Sequence, residues 1–149
     1  MFNFKNKIMI RFILVICLYL LSLVGFSQNK TQSYSLNVTA TNAISDKGKV
    51  YFALYDTEEH FNNKQALATA EALLTEGVCK ITFKNLKPGV YAVVFFHDAN
   101  SNGKMDFQSN GMPLEDYGVS NNISSFGPPN FEDAKFEITN KNLDLTLKF

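Results

Sequence analysis

Residues 97–107 read HDANSNGKMDF, and their oxygen-bearing side chains are spaced as in a loop that holds a hard cation. Asp98, Asn100, Asn102, Gly103, Lys104 and Asp106 fall at the first, third, fifth, sixth, seventh and ninth places of the D-x-[DN]-x-[DN]-G pattern. Glycine at the sixth place permits the bend, alternate side chains turn oxygens inward, and the seventh residue offers its backbone carbonyl. On this reading Asp98, Asn100 and Asn102 are side-chain ligands of Ca²⁺, Lys104 a carbonyl ligand, and Asp106 a direct or water-mediated one. The loop departs from an EF-hand in two ways. Ser109 stands at the twelfth place, where a bidentate glutamate belongs, and a strand-like segment precedes the loop instead of a helix. Glu115 or Asp116, folding back, would fill that place. With two carboxylates assured, affinity belongs in the weak range of extracellular modules, about 10⁻⁴–10⁻³ M. The competing reading is a plain turn in which Asp and Asn side chains bond the local backbone. His97 is a poor partner for a hard cation and reads as a strand-end residue.

A second stretch lies at residues 111–133, GMPLEDYGVSNNISSFGPPNFED, too rich in Gly, Pro, Asn and Ser for a simple connector. Its aromatics Tyr117, Phe126 and Phe131 either pack an Ω-like loop onto the fold or form a binding surface. In the second case they stack on a sugar or grip a peptide, with Asn121, Asn122 and Glu132 supplying hydrogen bonds.

Catalysis finds little support. The only imidazoles are His60 and His97, and there is no G-x-S-x-G or Cys–His arrangement. Glu115, Asp116, Glu132 and Asp133 could supply a glycosidase-like carboxylate pair, which would require two carboxylates roughly 5–10 Å apart across a cleft. Two histidines, two cysteines and no tryptophan exclude a multi-histidine metal site, a disulfide network and a paired zinc knuckle. Fourteen basic residues balance fourteen acidic ones, so nothing favours nucleic acid.

The elements that must position these loops are strands. With 46% hydrophobic and 19% charged residues, the composition is that of a globular domain. Segments 34–40, 49–55, 79–83, 90–96, 135–139 and 143–149 are rich in β-branched and aromatic residues and separated by turn signals such as NLKPG. Six or seven such strands in about 120 residues indicate an antiparallel sandwich. Residues 57–75 break the pattern. Thr57 and Glu58–Glu59 supply a helix-start signal, and Leu67, Ala70 and Leu74 at i, i+3 and i+7 predict a short helix around 65–73 crossing between sheets. The alternative is an extra strand at 71–74 that forms a hairpin with CKITF through a turn at 75–77.

The first segment is an address. Lys5, Lys7 and Arg11 precede an apolar run of 15 residues, 12–26, and Gly25 and Ser27 provide the small residues of a signal-peptidase site before Gln28. The alternative is an uncleaved membrane anchor, for which the run is short of the ~20 residues needed to span a bilayer, although Ile8 to Ile10 could extend it across Arg11. We therefore expect residues 1–27 to be a signal peptide, 28–33 a flexible leader and 34–149 the folded domain. Loss of three basic and no acidic residues leaves eleven against fourteen, a net charge of −3. Cys79 then stands alone and reads as an inert strand residue, so the domain must rest on a packed core.

The stretches GKVYFALYDTEEHF, FKNLKPGVYAVVFFHDANSNGKMD, GMPLEDYGVSNN and FGPPNFEDAKFEI together resemble the exported domain-of-unknown-function family 2141, frequent in Bacteroidota. The resemblance runs from about Gly48 to Phe149. It implies a cleaved signal peptide, a β-sandwich of immunoglobulin or prealbumin-like type, and no established activity. LKPGVYAV also resembles a turn-and-strand of carboxypeptidase regulatory-like domains, which are accessory modules without catalysis. Recurrence of the acidic loop and the SNN…FGPP segment in the family implies a joint site at one end of the sandwich.

The expectation is an all-β antiparallel sandwich of about seven strands with one short helix and a long 107–133 loop. It is an exported, periplasmic or extracellular monomer without enzymatic activity. A weakly held Ca²⁺ orders an adjoining surface for an envelope glycan or protein partner. A purely structural module without ligand is the alternative, and a carboxylate-based glycan hydrolase the third reading.

Overall fold

Alternation of apolar and polar side chains decides which face of each strand is buried. In β1 (Tyr34–Thr41) Tyr34, Leu36, Val38 and Ala40 turn inward; in β2 (Lys49–Tyr55) Val50, Phe52 and Leu54 do the same. β3 (Ala68–Ala72), β4 (Cys79–Leu86), β5 (Gly89–Asp98), β6 (Tyr117–Val119), β7 (Phe136–Ile138) and β8 (Leu143–Lys148) complete the strands. The computed structural model describes residues 32–123 and 127–149. The signal-peptide reading of 1–27, leader residues 28–31 and Phe126 lie outside the described residues. Among the described residues no helix is long and apolar enough to cross a membrane.

The strands form two sheets, β4-β1-β8 and β3-β2-β5-β6, with β7 pairing the beginning of β5. The pairs are antiparallel except β1 with β8, which run parallel with Leu36 opposite Leu143 and Ala40 opposite Leu147. Between the sheets lies the main core. Phe52 stacks on Phe95 at 5.5 Å between centroids, and Phe149 meets Phe95 edge-on at 4.9 Å. Cys79 is buried there, and burial pushes its thiol up to about 11, so it stays protonated and inert. Glycine is required at 118. A Cβ there would sit 2.3 Å from the Phe95 ring and 2.6 Å from the Lys148 carbonyl, at the point where β6 crosses the end of β8.

A second, smaller core covers the outer face of the β2–β5 sheet. Tyr55, Ala92 and Val119 meet Phe61 and Phe131, which are carried by two short helices, α1 (Glu58–Asn62) and α2 (Phe131–Ala134). Thr57 caps α1, its hydroxyl accepting from the His60 N–H at 3.1 Å; Asn130 caps α2, its amide oxygen accepting from Asp133 N–H at 2.9 Å. Both apolar cores lie within residues 32–149, a compact unit that therefore carries its own fold.

Three sequence expectations change. The helix expected around 65–73 lies upstream at Glu58–Asn62, directly behind its Thr57 signal. Residues 68–72 are instead the edge strand β3, because the strict alternation of ATAEA lays three small alanines against the core, while Leu67 stays exposed. That strand pairs with β2, Val50 opposite Ala72, and not with CKITF; the expected turn survives as a Thr75–Val78 bridge leading into β4. The stretch 107–133 is no single loop. It contains β6, a 3-10 turn at Ser120–Asn122 and α2.

Candidate functional site

The ends of β2 and β5 meet with Lys49 opposite Asp98, and the loops leaving them are locked together. Gly48, at φ +73°, lets the β1–β2 loop close against β5, since a Cβ there would lie 1.9 Å from the Asp98 carbonyl. His97 points into the core, beside the Phe149 ring, with Nε2 2.6 Å from the Lys47 carbonyl. It is the strand-end residue its position suggested. Asp98, one residue on, faces the other way and is 1% exposed.

Asp98 organises the loop that leaves β5. Its carboxylate accepts the backbone N–H of Asn102 at 3.1 Å and of Gly103 at 2.8 Å. Asn100 Oδ1 accepts Asn102 N–H and Asn102 Oδ1 accepts Lys104 N–H, both at 3.0 Å, so successive Asx turns wind the chain round the buried carboxylate. Ser101 and Gly103 take left-handed backbone, φ +60° and +77°. The free ends of both asparagine amides converge on one atom: Asn100 Nδ2 donates to Asp106 Oδ2 at 2.8 Å and Asn102 Nδ2 at 2.6 Å. These two bonds hold the Asp106 carboxyl below the usual carboxylate range, with Lys104 Nζ, 3.9 Å from Oδ1, adding a smaller pull.

Glu115 folds back onto this loop. Its Oε2 accepts the Asp106 N–H at 3.2 Å, and the Leu114 N–H donates to the Asp106 carbonyl at 2.9 Å. Asp116 instead uses its backbone, its carbonyl accepting the His97 N–H at 2.9 Å. Glu115 Oε1 is buried with no hydrogen-bond partner. Between Asp106 and Glu115 the chain forms a small hairpin, with Phe107 bridged to Pro113 and Gln108 N–H donating to the Met112 carbonyl at 2.7 Å. Among the described residues no three His, Cys, Asp or Glu side chains converge as a metal-holding group. The donors here are carboxylates interleaved with amide and carbonyl oxygens.

Of the three aromatics offered either for a packed loop or for a binding surface, Phe126 lies outside the described residues, Tyr117 is half-buried and Phe131 follows the packed reading. Phe131 is buried, edge-on to Phe61 at 5.8 Å. Asn121 Nδ2 donates to the carbonyls of Asp133 (2.8 Å) and Lys135 (3.0 Å), while Asn122 brackets β8 by donating to the Thr146 carbonyl at 3.1 Å and accepting the Lys148 N–H at 2.7 Å. Both asparagines have positive φ, which their type tolerates. Glu132 is paired with Lys135, and Asp133 with Asn130 in the α2 cap. Tyr117 is half-buried and lines a cleft of about 330 Å³ with Ile123, Lys148 and Phe149. Sequence reasoning missed Ser120, whose buried hydroxyl accepts the Val93 N–H at 3.0 Å and donates to the Ala134 carbonyl; a lone serine in a loop gives no signal of that. It also missed the His60–Asp56 contact, Nδ1 to Oδ1 at 2.7 Å, visible only as an i, i+4 spacing.

Fold and site together define a two-sheet β-sandwich with a buried aspartate at the end of a central strand organising an oxygen-rich loop. The chain belongs to the family described as "Uncharacterized protein conserved in bacteria (DUF2141)", whose model matches residues 38–146. No curated protein and no solved structure matched it.

Proposed function

We propose that this protein is an exported, non-catalytic binding module whose loop 98–106, completed by Glu115, takes up Ca²⁺ weakly and so fixes the adjoining surface for an envelope glycan or protein partner. The observation that carries this reading is Glu115 Oε1, a buried carboxylate oxygen without a partner, held against the Asp106 backbone. Such an atom is costly in a folded protein unless a donor or cation meets it. Asp98, Asn100, Asn102, the Lys104 carbonyl, Asp106 and Glu115 would hold the ion, an all-oxygen set of the kind Ca²⁺ prefers. Its charge would offset the repulsion between the carboxylates of Asp106 and Glu115. For that the Asn100 and Asn102 amides must turn their Nδ2 groups away from Asp106. Export rests on the basic-then-apolar character of residues 1–27.

A second reading, a structural module with a self-contained Asx loop, is favoured by those same two amides, which already satisfy Asp106 Oδ2. The two readings part in solution. Titrating Ca²⁺ into residues 32–149 should move the side-chain amide NMR signals of Asn100 and Asn102 together, saturating with a dissociation constant of about 10⁻⁴–10⁻³ M. Amide signals unmoved to the end of the titration would sink the calcium reading and leave the structural one.

A further inference from the structure

The two sheets end in strand edges, and the chain protects those edges unequally. An exposed edge offers a row of N–H and C=O groups to any strand that can lie beside it. Native proteins blunt such edges with lysines, bulges, very short strands or a covering group. In β4 the outward side chains include Lys80 and Lys84, and its register with β1 shifts between Tyr34 and Leu36. The end of β8 is covered by the Asn122 amide, which holds the Thr146 carbonyl and the Lys148 N–H. β6 and β7 have three residues each. β3 is protected in none of these ways. Among the described residues it pairs with β2 alone, in unbroken register from Val50 opposite Ala72 to Leu54 opposite Ala68. Its residues ATAEA include no proline and a single charge, Glu71, which Lys49 of β2 already holds at 2.8 Å. Ala68, Ala70 and Ala72 reach the core yet stay partly exposed, whereas Val50, Phe52 and Leu54 on the next strand are buried. The rim of the core is thus open along this edge.

Two exposed leucines flank the same strand. Leu67 is 49% exposed and Leu73 69%, and both continue the outward row of Thr69 and Glu71. They stand three residues either side of Ala70. An antiparallel copy of β3, related by a two-fold axis at Ala70, sets Leu67 opposite Leu73 of the second copy, Thr69 opposite Glu71, and Ala70 opposite itself. Residues directly opposite in an antiparallel pair lie on one face. Each leucine then meets a leucine on the same side of the joined sheet, at both ends of the strand at once. A lone exposed leucine needs no explanation. A pair placed symmetrically about the centre of an unprotected edge is self-complementary, which is what an isologous contact requires.

We propose that the chain forms an isologous dimer through β3, its β3-β2-β5-β6 sheet running on into that of a second copy, in place of the expected monomer. Backbone hydrogen bonds along the two edges supply the pairing, and the two leucine contacts fix its register. Glu71 falls opposite Thr69, so no like charges face each other directly across the seam. A contact of one strand pair is small, so the dimer belongs to the weak, reversible class. The inference does not depend on the calcium reading. It does fix where the two oxygen-rich loops would lie. The loop leaves β5 at Asp98, at the end of the sheet where Val50 pairs with Ala72. Because the joined strands are antiparallel, the second copy carries its loop at the opposite end, and the dimer presents two heads facing apart.

The test is sedimentation equilibrium of residues 32–149 over rising concentration, with two double variants at the same exposed positions. Leu67→Lys with Leu73→Lys sets like charges opposite each other at both contacts. Leu67→Lys with Leu73→Glu sets opposite charges there instead. Thermal unfolding in dilute solution checks that both variants fold as the parent does. The expected result is a concentration-dependent parent dimer, a dissociation constant raised about tenfold or more in the first variant, and a return to within about threefold of the parent in the second. A parent that stays monomeric up to about 1 mM overturns the proposal and leaves the edge to a strand of another protein. A dimer indifferent to both variants overturns it too, because the contact then lies elsewhere. Equal weakening by both overturns the register that pairs Leu67 with Leu73, and with it the proposal.

Discussion

Phe95→Ala should lower the stability of residues 32–149 by about 3–5 kcal/mol, the range for a large aromatic removed from a packed core. Phe95 is 1% exposed and central to three contacts that join separate parts of the chain. It stacks on Phe52 of the neighbouring strand, meets the C-terminal Phe149 edge-on, and fills the space left by the missing side chain of Gly118. The cavity cannot close easily, because β2, β6 and the chain end would all have to move. Chemical denaturation checks it, with Phe107→Ala as the comparison, since Phe107 is more than half exposed and its truncation should stay within about 0.5 kcal/mol. Equal losses for the two would contradict the placement of the core.

Asp98→Ala comes next in size and bears on the site. Two backbone N–H groups depend on that buried carboxylate, and hydrogen bonds to a charged group are worth about 1.5–3 kcal/mol each. Removing the carboxylate also removes a buried charge, which offsets part of the loss, so a net cost of about 2–3 kcal/mol is expected. The damage should be local. Hydrogen exchange of the Asn102 and Gly103 amides should accelerate strongly, whereas the β1–β4 amides should change only as far as global stability does. Unchanged protection at 102 and 103 would show that the loop's Asx turns hold without Asp98.

The sandwich was legible because its strands alternate. Tyr34, Leu36, Val38 and Ala40 announce the buried face of β1, and VYFALY that of β2. The misplaced helix shows where alternation and helical spacing compete. In 65–74 apolar residues satisfy both periods, and an available strand edge on β2 decided for β3. Part of the acidic loop was legible in its spacing: Asn100 and Asn102 turn their amides to one Asp106 oxygen, Asp98 turns to the Asn102 and Gly103 N–H groups, and Glu115, one of the two residues expected to return to the loop, meets the Asp106 N–H. The direction of single side chains in 111–133 was not legible. Asn121, Asn122 and Phe131 look solvent-facing in a Gly- and Pro-rich stretch, yet two are spent on distant carbonyls and amides and the third on Phe61. Composition distinguishes a loop from a strand but does not tell which way an isolated side chain faces. The exposure of Leu67 and Leu73 was hidden for the converse reason, since apolar letters read as core until the fold leaves them outside.

The central claim, a cation site organised by Asp98 and completed by Glu115, is tested most directly by thermal unfolding of residues 32–149 in EDTA and then in Ca²⁺ raised to about 10 mM, a hundredfold excess over a dissociation constant near 0.1 mM. Binding to the folded state alone adds about 2.7 kcal/mol at that ratio, which should raise the midpoint by roughly 10 °C for a chain of this size. Asp98→Ala should abolish the rise and Glu115→Gln should reduce it. Identical midpoints in EDTA and Ca²⁺ for the parent protein would contradict the claim and leave a loop closed by its own asparagines.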